Sequence, residues 1–179
     1  ATTTSGNGGR SVLLFSSGSQ NRITQNSLIT SSAGGAAAAQ LSSVTSNNFT
    51  DNVVLGNDRG MLIQSNADHN IITNNTITSD SGAALTIDNN AQNQTVTNNT
   101  LTNTAGNYAL VLNNANLSQF ANNLLSSQLW MSATNTIDNF TNTTFATVNG
   151  SLRFPTLVTL NGTYVLNRNN LNVSSNSAY

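Results

Sequence analysis

Ile72-Thr73-Asn74-Asn75-Thr76-Ile77-Thr78 returns 24 residues later as Val96-Thr97-Asn98-Asn99-Thr100-Leu101-Thr102. A third copy, Phe120-Ala121-Asn122-Asn123-Leu124-Leu125, stands 24 further on. Upstream, Phe49-Thr50-Asp51-Asn52-Val53-Val54 fits at a spacing of 23, and Ile23-Thr24-Gln25-Asn26-Ser27-Leu28 at 26. Each copy places an apolar residue, an Asn three positions later and a second apolar residue two after that. Between the copies runs another element: Met61-Leu62-Ile63-Gln64, Leu85-Thr86-Ile87-Asp88 and Leu110-Val111-Leu112-Asn113, with Val12-Leu13-Leu14-Phe15 and the weaker Ala39-Gln40-Leu41 ahead of them. Gly60, Gly82 and Gly106 precede three of its members.

Both elements read as short period-2 strands between Asn- and Gly-rich turns. A unit of about 24 residues holds three such strands, which is too little chain for a helix plus a strand or for a propeller blade. Strands that recur with no room for a hairpin must stack on their own copies, rising about 4.8 Å per coil. The expected fold is therefore all-β: a parallel β-helix, a solenoid of about 24-residue coils with columns of like side chains inside.

The expected inward columns are Ile23, Phe49, Ile72, Val96 and Phe120, then Leu28, Val54, Ile77, Leu101 and Leu125. A third runs through Val12, Met61, Leu85 and Leu110, beside a fourth of Leu14, Leu41, Ile63, Ile87 and Leu112. Asn26, Asn52, Asn75, Asn99 and Asn123 form a column of their own. An asparagine there is expected to take the left-handed region and to bond its amide to the Asn of the next coil, making a structural ladder.

Composition agrees. Asn, Thr and Ser supply 80 of 179 residues, while charged residues are 6% and Cys is absent. No disulfide framework or cysteine metal site can form. Five scattered Arg in a chain of net charge −1 build no basic patch for nucleic acid. The apolar runs are too short for a helical membrane span. No cofactor or metal is expected, and the remaining acids, Asp51, Asp80 and Asp138, stand apart.

The pattern Asn-x-Val-Thr-Asn-Asn-Thr-Leu-Thr, followed by Gly-x-x-Ala-Leu-x-Leu, resembles the right-handed parallel β-helix repeats of the pectate-lyase-like superfamily. It is also similar to the passenger regions of autotransporter adhesins. The resemblance covers about residues 10–129. It implies a right-handed coil and a secreted or cell-surface, bacterial location. It does not fix an activity, because that superfamily hosts lyases, hydrolases, epimerases, tailspikes and adhesins. Residues 1–129 are expected to form regular coils. Residues 130–179, which hold six of the ten aromatics and the lone Pro155, are expected to form irregular coils and a C-terminal cap within one domain. Ala1 to Gly9 resembles no cap, so the first coil is expected to continue from further chain or to be sealed by a neighbouring subunit.

Enzymes of the resembled superfamily imply clustered Arg, Lys and Asp on an outward face. The outward positions expected on the second element are Leu13, Phe15, Gln40, Leu62, Gln64, Thr86, Asp88, Val111 and Asn113. That face carries one carboxylate and no cation, which argues against a catalytic cleft. Asp58-Arg59 and Asp68-His69 fall in two successive turns. Sharing one groove, Arg59 would hold a uronate and His69 would act as base; otherwise they are a surface ion pair and a solvated turn histidine. Alternation of side chains along a strand favours the second arrangement. The column Thr24, Thr50, Thr73 and Thr97 ends at Ala121 and lacks a regular second rank, so it suits cross-strand packing better than an ice face. Ten Asn-x-Ser/Thr sequons follow largely from the repeat itself.

The expected function is that of a non-catalytic extracellular or cell-surface segment: an adhesin, passenger or fibre piece. Its contacts would be with glycans or, end to end, with its own copies. The expected binding residues are Thr24, Thr50, Thr73, Thr97, Gln64, Asp88 and Asn113. The alternative is a lyase or epimerase acting on acidic glycans through Arg59, His69, Asp58 and Asp68.

Overall fold

The structure, a computed structural model, describes residues 2–5, 13–31, 34–131, 138–145 and 158–161. Every described element is a strand, and the strands fall into three parallel sheets. Sheet 1 stacks β1 (Thr2–Ser5), β4 (Ser27–Thr30), β7 (Val53–Gly56), β10 (Thr76–Ser79), β13 (Thr100–Asn103), β16 (Leu124–Leu125) and β19 (Thr144–Phe145). Sheet 2 stacks β2 (Leu13–Phe15), β5 (Ala37–Ser42), β8 (Arg59–Gln64), β11 (Leu85–Asp88), β14 (Tyr108–Asn113) and β17 (Gln128–Met131). Sheet 3 stacks β3 (Arg22–Thr24), β6 (Asn48–Thr50), β9 (Ile71–Thr73), β12 (Thr95–Thr97), β15 (Gln119–Ala121), β18 (Asp138–Thr141) and β20 (Val158–Asn161). Each coil passes through sheets 2, 3 and 1 in turn, as the repeat requires.

The core is a set of columns. Ile23, Phe49, Ile72, Val96, Phe120 and Phe140 lie in register on sheet 3, all buried. The Phe120 and Phe140 rings stack with centroids 4.6 Å apart and planes 12° from parallel. Leu28, Val54, Ile77, Leu101 and Leu125 form the sheet 1 column. On sheet 2 one column reads Leu13, Ala39, Met61, Leu85, Leu110 and Leu129, the other Leu41, Ile63, Ile87, Leu112 and Met131, with the Phe15 backbone paired to Leu41.

The first coil corrects the expected register. Leu13 and Phe15, not Val12 and Leu14, align with the inward columns, and Leu14 pairs with Gln40 of the outward one. Leu13 packs against the core. Val12 lies outside the described residues. A run of four apolar residues offers no alternation, so the side of the sheet is set by the neighbouring coil and not by the sequence of the strand.

The asparagine ladder is built at the sharp corner between sheets 3 and 1. Asn52 Oδ1 accepts the Asn26 backbone N–H at 2.9 Å and its Nδ2 at 3.1 Å. Asn75 does the same for Asn52, Asn99 for Asn75 and Asn123 for Asn99. Each amide also donates inward: Asn75 Nδ2 reaches the Phe49 carbonyl at 2.9 Å and Asn99 Nδ2 the Ile72 carbonyl at 2.8 Å. The left-handed conformation belongs to the residue before each ladder Asn, a correction to the expected placing. Gln25, Asp51, Asn74, Asn98, Asn122 and Asn142 all have φ between 46° and 57°.

A second ladder, at the corner between sheets 2 and 3, stands five residues before the first in every coil. It runs Asn21, Asn47, Asn70, Gln94 and Ser118, each backbone N–H donating to the side-chain oxygen of the next member. Asn47, Asn70, Gln94 and Ser118 are buried. The residues before them, Gln20, Ser46, His69, Asn93 and Leu117, again take positive φ. The expected cap falls mostly outside the described residues.

Candidate functional site

A hollow of about 480 Å³ lies on the outer face of sheet 2 beside the corner leading in from sheet 1. Its floor follows one outward column. Thr86 pairs with Val111 and Val111 with Trp130, so the three stand on successive coils. Asp88 and Asn113 pair in the next outward column and border the groove on that side. The corner supplies the opposite wall through Asp58, Arg59, Ser81, Gly82, Asn107 and Tyr108. Tyr108 is 38% and Trp130 36% exposed.

Close stacking of the corner turns positions this wall. Gly82 N donates to the Asp58 carbonyl at 2.8 Å. Its carbonyl accepts Ser79 Oγ at 2.8 Å and also Asn103 Nδ2. Held from both sides, Gly82 leaves room for a Cβ only if neighbouring side chains move: it would lie 2.6 Å from Asp58 Oδ1 and 3.0 Å from Arg59 Cγ. The bare backbone thus lets Asp58 and Arg59 lie over the next coil. Asn107 Nδ2 donates to the Ser81 carbonyl at 2.9 Å, and Ser81 Oγ to Asp58 Oδ1 at 3.4 Å. Asp88 Oδ1 accepts Asn113 Nδ2 and the Asn89 N–H, both at 2.7 Å. Among the described residues the Arg59 guanidinium has no hydrogen-bonding partner, and Asp58, Arg59 and Asp88 are all half-exposed.

This geometry changes the face read from sequence. Leu13 and Phe15 leave it, because they take inward register. Leu62 and Thr86 point outward yet are only 5% and 8% exposed. The cation thought missing is present: Arg59 opens strand β8 and lines the groove with Asp58 and Asp88. Tyr108 and Trp130 line the groove although the repeat pattern does not single them out. Their signal was the outward register of Trp130 with Thr86 and Val111, and the place of Tyr108 directly after a corner.

The structure does not bring His69 and Asp68 to Arg59. They sit in the corner beyond the far end of β8, whose six residues span about 16 Å. His69 occupies the left-handed turn position of its coil with φ 56°, and Asp68 Oδ1 accepts the Gln92 N–H at 2.7 Å. Of the other expected binding residues, Asp88 and Asn113 line the groove; Gln64 is half-buried at the same strand position one coil earlier, outside the lining. The Thr column is on sheet 3, where three of its four hydroxyls bond neighbouring side chains. Thr73 and Thr97 bond each other at 3.0 Å, Thr50 donates to Asn48 Oδ1, and Thr24 Oγ1 is buried without a partner among the described residues.

The family model for the right-handed β-helix region matches residues 1–125. The chain belongs to the right-handed β-helix family. No curated protein and no solved structure matches it significantly. The groove of this β-helix can stack planar apolar faces on its two aromatics and meet hydroxyl groups with its amides, carboxylates and guanidinium.

Proposed function

We propose that this β-helix is a non-catalytic extracellular or cell-surface segment that binds glycans in the sheet 2 groove. One observation carries the reading: two exposed aromatic rings and a set of fixed polar groups share one concave surface. Sugar rings have an apolar face and a hydroxyl rim, and such a surface complements both. The open setting of its charged groups supports binding over chemistry, since catalysis gains most from a site that excludes water. The test is retention of the full chain on immobilised polysaccharides, with the Trp130→Ala and Tyr108→Ala variants beside it. Retention that the variants lose supports the reading; no retention on any glycan refutes it.

A second reading, a lyase or epimerase acting on acidic glycans, is favoured by Arg59, which has no partner among the described residues and shares the groove with Asp58 and Asp88. It predicts unsaturated uronate products, seen as rising ultraviolet absorbance, or epimerised sugars, and both vanish in Arg59→Ala.

A further inference from the structure

We infer that the glycan taken by this groove is a neutral oligosaccharide lying along the solenoid axis. The inference rests on the glycan-binding reading above and names its ligand class. Charge comes first. The formally charged side chains lining the groove are Arg59, Asp58 and Asp88, one cation against two carboxylates. A third carboxylate, Asp80, is exposed on the same corner, where Thr104 Oγ1 donates to it at 2.9 Å. A polyuronate or sulfated chain would bring repeated negative charge against this surface, and the single guanidinium offsets only one carboxylate. Neutral hydroxyls carry no such penalty.

The polar groups are also arranged for hydroxyls. Asp88 Oδ1 is held by Asn113 and Asn89, while Oδ2 has no partner among the described residues and is available as an acceptor. Asn113 Oδ1 stands beside it, also an acceptor, and across the groove the Arg59 guanidinium offers only donors. Different hydroxyls of one oligosaccharide, each both donor and acceptor, can meet the two sides.

Direction follows from topology. Along the groove floor Thr86, Val111 and Trp130 stack on β11, β14 and β17, and Arg59 on the neighbouring β8 lines the corner wall, so the groove crosses four consecutive strands of sheet 2. Three steps between coils cover about 14 Å, the length of a short oligosaccharide. Tyr108 stands with Arg59 on the corner wall, Trp130 on the floor and Asp88 on the opposite border, so an axial ligand lies over Trp130 with polar groups on either side.

The test is calorimetric titration of the full chain with size-matched neutral hexose, uronate and sulfated oligosaccharides. Neutral ligands should bind roughly tenfold or more tightly than charged ones, with an affinity nearly independent of salt. Trp130→Ala and Tyr108→Ala should each weaken binding roughly tenfold with unchanged circular dichroism. Asp88→Asn should narrow the gap between neutral and uronate ligands. Tighter binding of uronate or sulfated ligands, weakened by salt and lost in Arg59→Gln, would overturn the inference while leaving glycan binding intact. Absence of binding to all three sets overturns both.

Discussion

Asn75 offers the sharpest test of what holds the coils together. It is buried, and replacing it with alanine deletes four hydrogen bonds: Asn52 N–H and Nδ2 to its Oδ1, and its Nδ2 to the Phe49 carbonyl and to Asn99 Oδ1. Two of the groups left behind keep other partners. Asn52 Nδ2 still donates to the Ile23 and Thr50 carbonyls, and Asn99 Oδ1 still accepts the residue 75 N–H. The buried Asn52 N–H loses its acceptor, at a cost of about 1–3 kcal/mol. With the weaker losses added, the expected destabilisation is about 3 kcal/mol. The neighbouring Asn74 is the control. It is exposed, has φ 56° and makes no side-chain hydrogen bond, so Asn74→Ala should cost only the strain of alanine in the left-handed region, about 1 kcal/mol. Urea unfolding followed by far-ultraviolet circular dichroism separates the two. If Asn75→Ala costs no more than Asn74→Ala, water replaces the ladder bonds and the account of the corner fails.

Phe140→Ala removes one ring of the Phe120 stack from a fully buried site and should cost about 3–5 kcal/mol in the same assay. Gly60→Ala and Gly82→Ala should part company. At Gly60 the added Cβ meets the Ala84 carbonyl oxygen at 2.5 Å, a backbone clash that should sharply lower the thermal midpoint. At Gly82 it meets chiefly the Asp58 and Arg59 side chains, which can move, so the midpoint should hold better while glycan retention falls. Thr24→Val removes a buried hydroxyl without a partner and should be neutral or stabilising by up to about 1 kcal/mol in urea unfolding.

The strand columns were legible because identical side chains face one another one coil apart, so the packing period is the sequence period. The second ladder was not, although Asn21, Asn47 and Asn70 stand five residues before their counterparts. Gln94 and Ser118 break the identity while keeping an oxygen in place, so the chemistry persists where the letter changes. Val12-Leu13-Leu14-Phe15 carried no parity, and its register was misread by one. The groove stayed hidden for another reason. Arg59 was assigned to a turn before the strand, and its place there depends on the backbone contact at Gly82, a packing property of two coils that no single strand pattern encodes. Trp130 was counted as a sign of the cap when its register with Val111 makes it part of the groove floor.

The ladder bonds all join residues 23 to 26 positions apart, always from one coil to the next. Length in this molecule is therefore quantised. Excising residues 75–98, a whole unit, would bring Asn99 to the place of Asn75 beneath Asn52 and close every column over the gap. Removing half as many would leave one coil too short to complete its three strands. Such a chain can lengthen or shorten by whole coils without inventing a new contact. A loss of that one unit would also remove Asp88 and bring Arg59 next to Tyr108, so a change in size is at once a change in the surface offered to a ligand.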